Sequence, residues 1–357
     1  MKNINFVLNQ LTALRYFAPI IIEAHNRGIK SHMFIQRSGK YNCPSRKENW
    51  NQIVELAKKY NMTTYEISHV NQHEGIFFFV ENQGMSSVKK DKNKKFITLT
   101  FAINFSTGHK REEYRKKADH VLMPSRFFAD YYETNYENNL FLGSPKFDVC
   151  FETDKIIDKY GLKRGIKKAL VIFPKNRDLH KVNIKQIYMC LKQYGYDILV
   201  KTRGKDPVAN NTMNIGIAGK EASMKFSLRG DHYFEDMSWY PHTTMELIHA
   251  SDLIINFGSC AIEEIVMSNR PVIDFEVKKP STPLGNTNDS KGFAPLYEYK
   301  YAVNLEKNYS KKELESAIRY LSSNNFAEEF TKAQNTCLTS TDFNSSKAIL
   351  DFFENDV

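Results

Sequence analysis

The chain's 357 residues suggest about two domains, and a hydrophobic content of 41% is enough to bury real cores. Its net charge of +9 points to nucleic acid, an anionic membrane or phosphorylated substrates; the excess is not gathered in one tail, which disfavours nucleic acid as a partner. Five scattered cysteines with no CxxC pair argue against a zinc site or a disulfide framework and fit a reducing cytosol.

The N-terminus, MKNINFVLNQL, lacks the apolar core and small-residue cleavage site of a signal peptide. No stretch approaches the roughly 20 apolar residues of a membrane span. A soluble, cytoplasmic protein is expected, with room for peripheral contact at the inner face of the cytoplasmic membrane. Ile4 to Leu8 is the first strand. Asn9-Gln10-Leu11-Thr12 turns into a helix whose apolar positions Leu14, Phe17, Ile20, Ile21 and Ala24 share one face. Gly28 suits a left-handed cap, and Ser31 to Ile35 is the second strand. The chain therefore opens with a βαβ unit, and parallel strands imply a doubly wound sheet. Asn49 to Tyr60 reads as a helix and Gly75 to Val80 as a buried strand.

The stretch from Lys89 to Lys117 carries ten Lys or Arg against three acids. Inside it, the charge-free run Phe96 to Thr107 leads to Gly108-His109-Lys110-Arg111. A strand followed by such a loop suits a phosphate or an anionic acceptor, although charge runs are more often plain solvated surface. Ala118 to Ser125 is another strand-to-helix step, and Gly143-Ser144-Pro145 marks a hinge. Division is expected there: one Rossmann-like domain over 1–145, a second over 146–340, and a C-terminal helix within 341–357 packing back on the first.

Ala169 to Phe173 opens the second sheet, and Asp197 to Val200 is its next strand, leading to Lys201-Thr202-Arg203. Pro241 to Ala250 is a helix. Ser251 to Lys278 then reads as strand (Leu253 to Phe257), turn (Gly258-Ser259-Cys260), helix (Ala261 to Met267) and strand (Val272 to Phe275). Such a turn aims unpaired N–H groups and a helix dipole at the carboxyl edge of the sheet, which holds a phosphate. An ordinary βαβ unit with a small-residue turn would look the same. Residues 276–297 read as a long loop, and Lys311 to Leu321 and Ser345 to Phe353 as helices.

Several chemistries lack their signatures. There is no P-loop, no GxGxxG after a strand, no HExxH, no Asp-x-Asp and no GxSxG. No metal and no cofactor are expected. Lys201 and Arg203 lie past one strand end; Gly258, Ser259, Cys260 and Ala261 lie past another, where α/β proteins bind ligands. Backbone N–H groups and the Ser259 hydroxyl on one side, with fixed cations on the other, could grip a diphosphate.

The segment from Asp236 to Ile273 is more specific. Tyr240-Pro241 ahead of Glu246-Leu247-Ile248, the strand from Ser251 to Asn256, Asn256-Phe257-Gly258-Ser259 and Arg270-Pro271-Val272-Ile273 resemble the nucleotide-binding half of GT-B glycosyltransferases. The pattern is most similar to the CDP-glycerol glycerophosphotransferase (teichoic acid polymerase) family, with its YPDxxxLL segment, D-Y-S-S turn and K-P-V-I strand. Leu142-Gly143-Ser144-Pro145-Lys146-Phe147-Asp148 is similar to the G-x-P-(K/R)-x-D hinge of that family and of Kdo transferases. Val200 to Arg203 stands where the family has K-x-H-P. The likeness covers about 140–275 and is topological over the first half. Asn256, Cys260 and Arg203 depart from the family's residues. Its His-Gly dipeptide has no clean copy; Gly108-His109 and Asn104 lie nearest. These departures leave the donor nucleotide and the catalytic base open.

The resemblance implies an α/β GT-B fold, two Rossmann-like doubly wound parallel-sheet domains facing across a cleft. The first would take the acceptor and the second the nucleotide donor. It implies an inverting, metal-independent transfer of a sugar or sugar-like unit from a nucleotide-activated donor. The acceptor would be a glycan or a lipid-linked glycan in surface-polysaccharide synthesis. Lys201, Arg203 and the Gly258–Ala261 turn would stabilise the leaving phosphate, and Glu264 resembles the glutamate that holds a ribose in many GT-B enzymes. His109, near neutrality when unperturbed, is the candidate base, with His242 on the leaving-phosphate side. Asn9, Arg15, Asn104 and Lys110 fall on the acceptor side. Two alternatives stay open. One is a sugar-nucleotide epimerase similar to the UDP-N-acetylglucosamine 2-epimerases, for which Arg15 is a loose positional match to an arginine past the first strand. The other is a non-catalytic GT-B relative that binds an anionic glycan or a partner protein.

Overall fold

Strands buried on both faces read as unbroken apolar runs, and such strands belong inside parallel sheets. In the computed structural model, β1 (Ile4–Leu8), β2 (Ser31–Ile35) and β4 (Gly75–Val80) are buried at every position. The structure describes residues 3–36, 47–100, 116–131, 135–173, 182–202, 229–235, 237–257, 259, 261–276, 302–306, 308–323 and 344–355. With β3 (Thr63–Glu66), β5 (Lys94–Leu99), β6 (His120–Leu122) and β7 (Asn139–Leu140), the first strands form a parallel sheet of order β3-β2-β1-β4-β5-β6-β7. The second sheet comprises β8 (Lys168–Ile172), β9 (Asp197–Lys201), β10 (His232–Phe234), β11 (Leu253–Asn256), β12 (Val272–Glu276) and β13 (Ala302–Glu306). Its order is β10-β9-β8-β11-β12-β13, again parallel.

Both sheets therefore share one doubly wound plan. In each, the order reverses beside the first strand, between β1 and β4 and between β8 and β11. Open α/β sheets bind ligands in the crevice past the carboxyl ends of the strands at that reversal.

Among the described residues the helices are α1 (Leu14–Asn26), α2 (Lys47–Lys59), α3 (Arg126–Tyr131), α4 (Thr153–Lys159), α5 (Ile184–Gln193), α6 (Thr243–His249), α7 (Ile262–Met267), α8 (Lys311–Leu321) and α9 (Ser345–Asn355). The apolar face of α1 buries Leu14, Phe17, Ile20, Ile21 and Ala24 in the first core, where Phe6 meets Phe17 at 5.2 Å and Phe78 at 5.5 Å. Ser310 and Glu313 form a capping box that starts α8. None of the described helices is long and apolar enough to cross a membrane.

The hinge that leaves the first sheet is also where the chain's end returns. Gly143 has φ +78°, and a Cβ there would collide with the Ser345 hydroxyl. Asp148 accepts hydrogen bonds from the backbone N–H groups of Ser345, at 3.0 Å, and Ser346. That carboxylate caps the start of α9. Arg27 at the end of α1 holds Asp351 at 2.7 Å and Glu354 at 2.9 Å, while Ile349, Leu350 and Phe353 enter the first core.

One buried group outside the cleft makes stability pH-dependent. His32 on β2 is 2% exposed and packs against the rings of His73, at 5.1 Å, and Tyr65, at 5.6 Å. Burial, with His73 and Lys30 beside it, lowers its pKa to about 4. The His73 pKa is lowered too, by burial, His69 and Lys30. The unfolded chain takes up these protons near 6.5. Stability is thus complete above about pH 6.5 and falls as the pH drops toward 4. His32→Phe should flatten that slope by about 1–3 kcal/mol, read from urea unfolding at neutral and mildly acid pH.

Candidate functional site

The reversal point of the second sheet carries the turn from β11 into α7. Asn256, the last residue of β11, and Asp274, midway along β12, are register partners, and both side chains are buried. Asn256 Nδ2 donates to Asp274 Oδ1 at 3.0 Å and to the Ser259 carbonyl at 3.3 Å. The Ser259 hydroxyl donates to Asn256 Oδ1 and accepts from Ala261 N–H at 3.3 Å. The relay fixes Ser259 in the turn. It also accounts for an amide at 256: a carboxylate there would face Asp274 across a buried gap, and two like charges so placed cannot both ionise. Asn256→Asp should destabilise the protein relative to the wild type at neutral pH. The deficit should shrink as acid protonates the pair, measured by urea unfolding across pH.

Glu263 and Glu264 occupy the first turn of α7, and both are buried. Carboxylates so placed need cations, and these come from the other half of the chain. Arg15, in the first turn of α1, meets Glu264 Oε1 at 2.9 Å. Lys146, in the hinge and 1% exposed, meets Glu263 Oε2 at 3.0 Å and Glu264 Oε1 at 3.4 Å. Tyr16 is buried beside them, its hydroxyl 3.4 Å from Arg15 Nη2. Burial works against the Lys146 ammonium, but Glu263 and Glu264 outweigh it and hold its pKa above the usual lysine range. Burial raises the Glu263 pKa, against the pull of Lys146. For Glu264 burial acts the same way, but Lys146 and Arg15 win and hold the carboxyl below its ordinary value.

His242 lies beside this lattice at the N-terminus of α6, just past the cis Tyr240–Pro241 bond. Its ring stacks on Trp239 at 5.5 Å. Trp239 belongs by sequence to the second half yet packs into the first core, and Gln52 of α2 accepts its backbone N–H at 3.1 Å. Burial, then Arg15, Lys201 and Lys146, push the His242 pKa well below its ordinary value, so the imidazole is neutral. Lys201 ends β9, is buried, and donates to the Thr202 carbonyl at 2.9 Å.

Of the residues singled out from sequence, Arg15, Lys201, His242 and Glu264 converge here, with Ser259 and Ala261 on the turn that precedes α7. Asn9 stands half-buried just past β1. Arg15 and Glu264, placed on opposite sides of a cleft by the sequence, bond directly to each other. His109, Asn104, Lys110, Arg203, Gly258 and Cys260 lie outside the described residues. The sequence reading gave no role in the site to Lys146, Glu263, Tyr16 or Asp274. Two of these carry a signal: adjacent glutamates in a short apolar helix, and an acid inside the apolar run Val272 to Phe275. Among the described residues, no group of three or more His, Cys, Asp or Glu is placed to hold a metal.

No protein-family model and no curated protein matches the chain. Solved structures do. The Neisseria meningitidis UDP-GlcNAc 2-epimerase bound to UDP-GlcNAc superposes with a TM-score of 0.62 at 10% identity, covering 99% of this chain and 100% of that one. The wall teichoic acid polymerase TagF, soaked with CDPG, gives 0.60 at 15% identity over 99% of this chain and 88% of that one. Acinetobacter baumannii MurG gives 0.54 at 11% identity over 99% and 100%. The chain has the GT-B fold: two parallel doubly wound α/β domains, with the chain's end returned to the first.

The lattice makes a direct prediction. Lys146→Met leaves two buried carboxylates facing Arg15 alone, and should cost about 3–5 kcal/mol. A lowered thermal midpoint, with far-UV circular dichroism unchanged below the transition, would show it.

Proposed function

We propose that this protein is an enzyme acting on a nucleotide-activated sugar or sugar-like unit, and that it transfers that unit to a hydroxyl of a glycan or lipid-linked acceptor. One observation carries the reading. At the β8–β11 reversal, a turn with fixed donors and acceptors leads into the helix whose Glu264 meets Arg15, beside buried Lys201 and His242, in a fold shared with an epimerase bound to UDP-GlcNAc and a polymerase soaked with CDPG.

In this reading the second domain grips the donor. Lys201 and Arg203 stabilise the charge that gathers on the leaving phosphate, and the Gly258–Ala261 turn orients it. Glu264 meets its cations through Oε1, and its carboxylate is the group assigned to a ribose hydroxyl. His242, held neutral, serves as a hydrogen-bonding group to the phosphate. His109 in the first domain removes the acceptor proton, with Asn9, Asn104 and Lys110 lining that side. Attack opposite the leaving group inverts the reacting carbon, and protein cations do the work of a metal.

A second reading, epimerisation of the sugar nucleotide, is favoured by Glu263 and Glu264. They are two adjacent carboxyl groups in the first turn of α7, held beside Arg15 and Lys146, and a proton-transfer reaction on a sugar carbon needs paired acid and base groups of this kind.

The test is a thermal-shift series with CMP, CDP, UDP, UMP and GDP. One nucleotide should raise the midpoint, by the equivalent of about 2.7 kcal/mol when present at a hundred times its dissociation constant. Silence from all five would overturn both readings and leave a binding protein. The matching nucleotide sugar, incubated alone, then separates them: an isomerised donor supports epimerisation, an unchanged one transfer. Ser259→Ala should cut turnover by about 10- to 100-fold, with a stability loss of about 1–3 kcal/mol from the buried Asn256 oxygen left unpaired.

A further inference from the structure

A lysine-rich surface lies at the amino-terminal edge of the first sheet, the opposite end from the ligand side of its strands. Lys89, Lys90 and Lys92 precede β5, and Lys116 and Lys117 precede β6, so all five stand at the amino-terminal edge of adjacent strands. All five are exposed. Lys90 Nζ joins the two loops, donating to the Lys117 carbonyl at 2.8 Å and pairing with Asp119 at 2.8 Å. Beneath them Lys94 is buried, and its ammonium donates to the carbonyls of Asn71, at 3.3 Å, and Lys89, at 3.2 Å, and to Asp91 at 2.9 Å. That buried cation folds the loop so that Lys89 and Lys92 project outward. Of the three nearby acids, Asp91 is held by Lys94 and Asp119 by Lys90, while Glu74 accepts from the Asn93 side-chain amide at 2.7 Å. Lys89, Lys92, Lys116 and Lys117 have no carboxylate within 4.0 Å among the described residues.

We infer that this edge docks the protein on an anionic membrane surface. The chemistry selects the partner. Every described cation in the cluster is a lysine, a mobile point charge on a long stem, rather than an arginine, whose planar fork recognises one phosphate in a fixed geometry. Exposed lysines on two joined loops suit a diffuse layer of lipid headgroups. Among the described residues, the cluster has no exposed aromatic ring on which a base could stack. Among the described residues, seven lysines, counting Lys94 and Lys95, against Asp91, Asp119 and Glu74 give this edge a surplus of four in a chain whose total surplus is +9. The inference stands apart from the reaction proposed above, because no residue of the edge belongs to the cleft.

The experiment is co-sedimentation of the full-length protein with vesicles of phosphatidylcholine and phosphatidylglycerol, against phosphatidylcholine alone. Binding should need the anionic lipid and fall steeply with added salt, since exposed charges are screened. Lys89→Glu/Lys92→Glu/Lys117→Glu should weaken it by about a hundredfold, each lysine being worth about fivefold near such a surface. The variant's thermal midpoint and its response to the nucleotide series should match the wild type. A failure of the edge is then told apart from a failure of the cleft. Equal binding to neutral vesicles, a variant that sediments like the wild type, or duplex RNA that displaces the vesicles at equal charge concentration would overturn the inference.

Discussion

Arg15 and Lys146 against Glu263 and Glu264 form the interaction on which the two halves of the molecule depend. Four charges are taken out of water, and their mutual attraction must offset that loss of hydration. Such a cluster is a weak adhesive compared with an apolar contact of the same volume. Its strength lies in geometry, because each charge tolerates burial only with its partner about 3 Å away. The partners come from α1, the hinge and the first turn of α7, segments distant in sequence. Only one docking of the sheets satisfies all four.

Adhesion comes from a different contact. Trp239 leaves its own half and enters the first core, where burial of a large ring is worth about 2–3 kcal/mol. Gln52 fixes the backbone that carries it. Charges set the register and the indole holds it. His242 stacks on that indole and faces cations from both halves, so its environment exists only when the halves are docked. The turn that carries Ser259 is tied to the same event, since it runs straight into the glutamates of α7.

Much of the fold was legible in the sequence because central parallel strands are buried on both faces. Runs such as GIFFFV and LIIN have no other soluble use. The strands that escaped were β3, β10 and β13, and each lies at a sheet edge. An edge strand pairs on one side only and is partly wet, so TTYE and HYF carry no continuous apolar run. Helix α5 escaped too, although Asn183 caps it in the ordinary way. For the site, residue types were readable and partnerships were not. Arg15 and Glu264 were each picked for a ligand, because nothing in a sequence shows that residues 249 positions apart face each other. Lys146 was quoted as part of a hinge motif, and its charge had no visible employment until both glutamates were seen beside it.

The protonation state of His242 bears on the kind of leaving group this site suits. Its electrostatic neighbours are Arg15, Lys201 and Lys146, all cations, and burial acts in the same direction. A histidine so placed cannot keep a proton to hand to a departing group near neutral pH. An alkoxide leaving group needs that proton. A nucleotide phosphate does not, because it departs as a weakly basic anion and needs positive potential and hydrogen bonds instead. The features that disqualify His242 as an acid are those that favour an anion beside it. These electrostatics support the nucleotide-activated donor proposed for this site.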